Sequence, residues 1–285
     1  MNKNHLITPI LSLVFLFSCT DQEAEKTKSK EVKKGVIEVD TTDVFSSEQY
    51  DFVLPRPFAL AANFEEAGMK YDKERMNPTE NVVKYKTKGD QLINFGVYST
   101  DLVYNILNDQ PQQTMAYFNT LKELADKFGM GSIFTEDELA IKIEQNISDR
   151  SVLEDLLVDV HERSQEFLED NDMRYLSAIQ FSGAWIEGMY LASFDFVEKE
   201  PSEVSHKIVD QMSLLRNALK GLNAYPNKDE SIKKTIDALE ELQETYNNFD
   251  SLSADGGTGL PELSADEIKE IAKQIQEIRS QIIKA

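Results

Sequence analysis

Ile268, Ile271, Ile275, Ile278 and Ile282 step 3-4-3-4 along the last stretch of the chain. On an α-helix that spacing makes a single stripe; on a strand it would scatter the side chains over both faces. Ile208, Met212, Leu215, Leu219 and Leu222 repeat the pattern as 4-3-4-3, and Ile232, Ile236, Leu239, Leu242, Tyr246 and Phe249 step similarly. Narrow seams of this kind suit left-handed helix packing. Three short runs with loops between them fit an antiparallel bundle better than one long coiled coil. Ser264-x-x-Glu267 is a capping-box signature for the last run. Gly256-Gly257-Thr258-Gly259 just before it reads as a flexible joint, which predicts a loosely docked final helix.

The rest of the chain obeys the same rule. Only 12 Gly and 8 Pro in 285 residues leave long stretches free of helix breakers. Helical patterns cover Leu92 to Leu107, Thr114 to Phe128 with a stop at Gly129, and a segment from the capping box Thr135-x-x-Glu138 to about Ile147. Another starts near Ser151, and a second strongly apolar one runs from Tyr175 to Phe196. Ahead of these, Val36 to Val44 reads as extended or irregular, and Leu54-Pro55-Arg56-Pro57 as an extended turn. A short helix from about Phe58 to Met69 and a turn at Asn77-Pro78-Thr79 follow. No segment shows sustained alternation with β-branched enrichment. The expected fold is all-α, a multi-helix bundle of about eight or nine helices in antiparallel hairpins.

The N-terminus supplies an address. Leu6 to Phe17 is an apolar run broken only by Thr8, Pro9 and Ser12, and Leu16-Phe17-Ser18-Cys19 closes it. That order is a secretory signal ending in a lipobox, with Cys19 as the lipid-bearing residue. The run is too short for a membrane span, which needs roughly 20 residues. Cys19 is the chain's single cysteine, so acylation leaves the mature protein without a disulfide or free thiol. Residues 1–18 are then the signal peptide and 19–45 a lipidated, disordered tether. Residues 46–198 form the helical core around two buried central helices, and 199–285 add a C-terminal hairpin plus a final helix packing on that core. Within the tether, the acidic cluster Thr20-Asp21-Gln22-Glu23-Ala24-Glu25 resembles the export signal that sends lipoproteins of Bacteroidetes to the outer face of the outer membrane, and a lysine-rich stretch from Lys26 to Lys34 follows.

Thirty Lys and Arg face 51 Asp and Glu, a net charge of −21. Cleavage before Cys19 removes Lys3 and leaves 29 against 51, or −22. Such a surface repels nucleic acid and anionic lipid headgroups.

Two polar stripes run through the apolar central helices. Asn94, Tyr98, Asp101 and Asn105 share one face of the first, with Gly96 and Tyr104 nearby; Gln180, Gly183, Glu187 and Tyr190 share one face of the second, with Trp185 and Gly188 nearby. A carboxylate in such a helix is costly unless paired or hydrogen-bonded. Facing each other, the stripes form either a buried polar network that fixes helix register or a ligand cleft anchored by Asp101 and Glu187 as an acid/base pair. Tyr98-x-x-Asp101-x-x-Tyr104 and Ala184-x-x-Glu187-x-x-Tyr190 are also faintly alike, offset by 86 residues (187 − 101), as an old duplication would leave them.

Other chemistries find little support. Glu203-x-x-His206 has the spacing of a di-iron helix, but that site needs a second copy and two further glutamates. Asp159 and His161 do not share a helix face. There is no G-x-S-x-G, and Phe128-Gly129-Met130-Gly131-Ser132 lacks the Lys-Ser/Thr of a phosphate loop. No cofactor and no metal is expected.

Leu54-Pro55-Arg56-Pro57, Asn77-Pro78, Phe95-Gly96-Val97-Tyr98-Ser99-Thr100-Asp101-Leu102 and Gly183-Ala184-Trp185-Ile186-Glu187 together resemble a family of helical lipoproteins from Bacteroidetes. The likeness covers roughly residues 50–196. It implies an envelope address and a helical fold, and it carries over no activity and no functional residues. The expected protein is a lipoprotein of the outer membrane, held there through Cys19, that binds or scaffolds an envelope protein. The alternative is a carboxylate-dependent hydrolase or small-ligand-binding protein using Asp101 and Glu187.

Overall fold

Caps and stops in the sequence set the helix boundaries of the computed structural model, which describes residues 70–134, 137–253 and 261–284. The lipobox, the tether, the Leu54–Pro57 turn, the helix expected over Phe58 to Met69, the Thr135 cap and the Gly256–Gly259 joint lie outside those residues. Among the described residues the secondary structure is helical throughout, with no strand. The long helices are α1 (Lys88–Leu107), α2 (Pro111–Lys127), α3 (Asp137–Gln145), α4 (Arg150–Asp170), α5 (Leu176–Phe196), α6 (Pro201–Ala224) and α7 (Glu230–Asn247). A single turn, α8 (Asp250–Ser253), precedes α9 (Ala265–Ile282). Short 3₁₀ turns occupy Lys73–Arg75, Thr79–Lys84 and Gly131–Phe134.

Each boundary has a local cause. Thr87 and Asp90 form a full capping box at the start of α1, and Ser264 and Glu267 do the same for α9. Asp149 and Asp229 cap α4 and α7, while Pro111 and Pro201 occupy the first positions of α2 and α6, where no backbone donor is missed. Beyond α2, Gly129 adopts φ +89° and turns the chain. The Asp229 carboxylate also accepts the Gly89 N–H at 2.7 Å, and Ser231 donates to Asp90, so the N-termini of α1 and α7 are interlocked.

α1 and α5 form the centre. They are buried on nearly every side, so neither shows the one-sided pattern of a surface helix. Ile93 meets Gly183, Thr100 donates to the Ala184 carbonyl at 3.1 Å, and Asp101 lies beside Glu187. Both helices therefore cross in the same sense. The crossing is close because of two glycines used reciprocally. A Cβ on Gly96 would run into the Gln180 carbonyl, and one on Gly183 into the Ile93 carbonyl. α2 packs against α1, and α6 and α9 against α5; α7 lies between α6 and α9. The isoleucine seam of α9 closes on this core with Ile268, Ile271, Ile275 and Ile278 buried. α9 is thus firmly docked, contrary to what the glycines before it suggest. The isoleucine seam that it buries decides the docking.

Candidate functional site

Because α1 and α5 are buried all round, their polar side chains meet each other and the two ends of the described chain. Asp101 and Glu187 both have 0 % exposed surface. Arg279 of α9 grips Glu187 at two points, Nε donating to Oε2 and Nη2 to Oε1, each at 2.9 Å. This fork geometry is the strongest form of a guanidinium–carboxylate pair. Arg279 Nη2 also donates to the Arg75 carbonyl at 2.9 Å, and its guanidinium carbon sits 4.3 Å above the Tyr190 ring. Burial alone would make Arg279 release its proton more easily; the Glu187 charge overcomes that and raises its pKa.

Asp101 is fully buried and close enough to Glu187 to feel its charge. Its Oδ2 accepts the Asn77 backbone N–H at 3.1 Å, while Oδ1 receives a hydrogen bond from no described donor. Two carboxylates against one guanidinium would leave a buried negative charge uncompensated. Burial first, and the Glu187 charge second, push the Asp101 carboxyl well above the usual carboxylate range. Arg279 and the Asn77 N–H pull the other way without prevailing. Asp101 is accordingly held as the neutral acid, and its O–H is the donor that Glu187 can accept. Acid, carboxylate and guanidinium together carry no net charge.

A shell of hydroxyls surrounds the three. Tyr98 donates to the Pro78 carbonyl at 2.8 Å, and Tyr117 to the Asn77 carbonyl at 2.9 Å. Tyr85 accepts from Asn77 Nδ2 at 2.9 Å. Tyr104 donates to the Lys70 carbonyl and accepts the Asp72 N–H, both at 2.8 Å. Burial is the main cause that pushes Tyr85 and Tyr104 up to about 12, and it raises Tyr98 and Tyr117 further. These hydroxyls stay protonated and act as donors. Alongside, Arg75 Nη1 pairs with Asp195 at 3.2 Å and its guanidinium lies 4.4 Å over Phe194.

The eight residues picked from the sequence divide accordingly. Asp101, Glu187 and Tyr190 converge on Arg279. Tyr98 and Tyr104 turn to the backbone of residues 70–78, and Asn94 turns to the opposite end, donating to the Ile282 carbonyl at 3.0 Å. Gln180 Nε2 faces the Met130 sulfur at 3.7 Å. Trp185 is wholly buried, with no hydrogen-bond partner for its Nε1 among the described residues. The stripes do face one another, and both acids are fully buried between them. A cleft of about 150 Å³ opens instead between α1, α7 and α9, where Asn94 joins Asp90, Ser231, Thr235 and Gln281. Asp90 there is already engaged by Ser231 and by the Thr87 and Asp90 cap.

Three partners escape a reading of the stripes. Arg279 stands one residue off the isoleucine seam, a cation at the edge of an apolar face. Asn77 reads as a turn residue, yet it is fully buried and bonds Asp101, Tyr85 and Tyr117. Arg75 lies in a polar segment with no periodicity to mark it. Among the described residues no three or more His, Cys, Asp or Glu side chains gather to hold a metal, and no helix is long and apolar enough to cross a membrane. No protein-family model, no curated protein and no solved structure matches the chain.

Proposed function

We propose that the protein is an envelope-anchored lipoprotein whose helical body serves as a binding or scaffolding module. The observation that carries this reading is the two-point pairing of Glu187 with Arg279 beside the fully buried Asp101. A general acid/base pair has to reach the reacting atoms of a substrate. Here both oxygens of Glu187 are paired with Arg279 and both acids are fully buried, which disfavours the hydrolase. The network instead ties residues 70–78 and the end of α9 to the central helices, as a rigid platform requires.

The address rests on the order Leu16-Phe17-Ser18-Cys19 and on the likeness to helical lipoproteins of Bacteroidetes. The acidic cluster Thr20–Glu25 favours the outer face of the outer membrane. Metabolic labelling with a palmitate analogue tests the anchor. The wild-type chain is expected in the membrane fraction carrying label, and Cys19→Ser is expected unlabelled and released. Label that persists on Cys19→Ser would refute the lipid anchor at that residue.

A further inference from the structure

Among the described long helices, α4 is the one that the fold covers least. Over its 21 residues only Leu153, Ser164 and Leu168 are buried, against 19 residues on α5, which has the same length. Leu156, Val160 and Phe167 step by 4 and 7, which lines them along one side. They touch the core with part of their surface and leave the rest half-exposed. Next to them, Asp155, Glu162 and Glu166 step by 7 and 4 and are exposed. An apolar strip thus runs parallel to an acidic row for three turns.

The charge is also concentrated here. α4 carries seven acidic residues and two arginines, whereas α6 carries two acidic and three basic residues. Arg150 pairs with Glu154 at 2.7 Å and also donates to the Leu107 carbonyl of α1 at 3.3 Å, and Arg163 pairs with Asp159 at 2.8 Å. The acidity of α4 therefore exceeds what an evenly acidic surface would give.

We infer that this face of α4 is the docking surface for a cationic amphipathic helix of a partner protein. The partner's apolar stripe would cover Leu156, Val160 and Phe167, and its Lys or Arg residues would meet Asp155, Glu162 and Glu166. Helix-on-helix recognition of this kind takes its affinity from the apolar anchors and its choice of partner from the charged border. The inference rests on reading the protein as a binding module and names the class of its partner.

The test uses the full chain with Cys19→Ser and a synthetic 18-residue peptide of leucine and lysine in amphipathic helical order, with a leucine–glutamate peptide as its counterpart. Hydrogen exchange is expected to slow over residues 150–170 with the lysine peptide and to stay unchanged with the glutamate one. The triple change Asp155→Asn, Glu162→Gln, Glu166→Gln should weaken binding about tenfold. The same loss of charge on α7, by Glu240→Gln, Glu241→Gln, Glu244→Gln, should leave it unchanged. Val160→Ser should weaken it without affecting the fold, as judged by circular dichroism. Equal weakening by the α7 changes, or protection elsewhere, would overturn the assignment. So would α4 amides fully protected without peptide, because a second copy or the chain's own residues would then hold the face. A chain that binds the peptide but is never acylated defeats the anchor alone; an acylated chain that ignores the peptide defeats the docking surface alone.

Discussion

Asp101 is a buried carboxyl that the fold holds in its acid form, and this fixes the sign of its contribution to stability. Its pKa is raised in the folded protein above the unfolded value of about 3.9. The favourable contribution of the bound proton is fully present below that unfolded value and is lost as pH rises toward the folded one. Asn keeps both roles, since its carbonyl can accept the Asn77 N–H and its amide can donate to Glu187. Asp101→Asn is therefore expected to stabilise the protein, with a gain that opens above about pH 4 at a slope near 1.4 kcal/mol per pH unit. Thermal melts of both proteins between pH 4 and 8 measure it, and a difference independent of pH would contradict a neutral Asp101. Glu187→Gln behaves differently because Asp101 can then ionise and serve as counter-ion to Arg279. The double variant has no such reserve and leaves a buried guanidinium uncompensated, which typically costs about 3–5 kcal/mol. Its loss in denaturant titrations should exceed the sum of the single effects by about 0.5–3 kcal/mol; simple additivity would show that the two acids are not coupled.

At the scale of elements, the crossing of α1 and α5 depends on Gly96 and Gly183, whose missing side chains would strike backbone. Backbone cannot swing aside as a flexible side chain can. Gly183→Ala should therefore cost about 1–3 kcal/mol even though alanine is the better helix former. Urea unfolding reads the change, and an unaltered midpoint would mean that the helices can separate freely. Two helix ends point the other way. Asp109 after α1 and Asp172 after α4 hold φ of 54° and 55°, a region open to glycine at little cost. Asp172→Gly is expected to be neutral or to gain up to about 1 kcal/mol. The helices themselves were legible, because periodicity and caps act within a few residues: Thr87, Asp149, Asp229 and Ser264 all cap as their types suggest. The facing of Asp101 and Glu187 was also legible, since a carboxylate in an apolar helix has to find a partner. That this partner is Arg279, 92 residues away, was not, because an arginine beside an isoleucine seam looks like any solvated flank. Asn77 was hidden for a related reason: its bonds to Asp101 and Tyr117 are made by a backbone N–H and carbonyl, which exist at every residue.

For the whole molecule, the consequence of the network lies in its connectivity. Residues 70–78 hang on Tyr98, Tyr104 and Asp101 of α1, and the end of α9 hangs on Asn94 and Glu187. Arg279 joins the two sets directly through the Arg75 carbonyl. A helix that follows a glycine-rich linker would ordinarily exchange its amides through local opening, at a free energy well below that of global unfolding. Here, releasing α9 would uncover its isoleucines and strip Glu187 of its counter-ion in the same step. α9 should therefore open only with the centre, and its slowest amides should exchange at the same free energy as those of α5. Arg279→Met retains much of the side-chain volume but removes the charge, leaving Glu187 buried without its partner. In that variant the exchange free energy of α9 should fall, because breaking a buried pair on one side strands the other member. Pairing it with Glu187→Gln removes the stranded carboxylate, so part of the loss should be recovered while the isoleucine seam still holds the helix. If α9 of the wild-type chain instead exchanges far faster than α5 at every pH, the two ends are not bound into one cooperative unit.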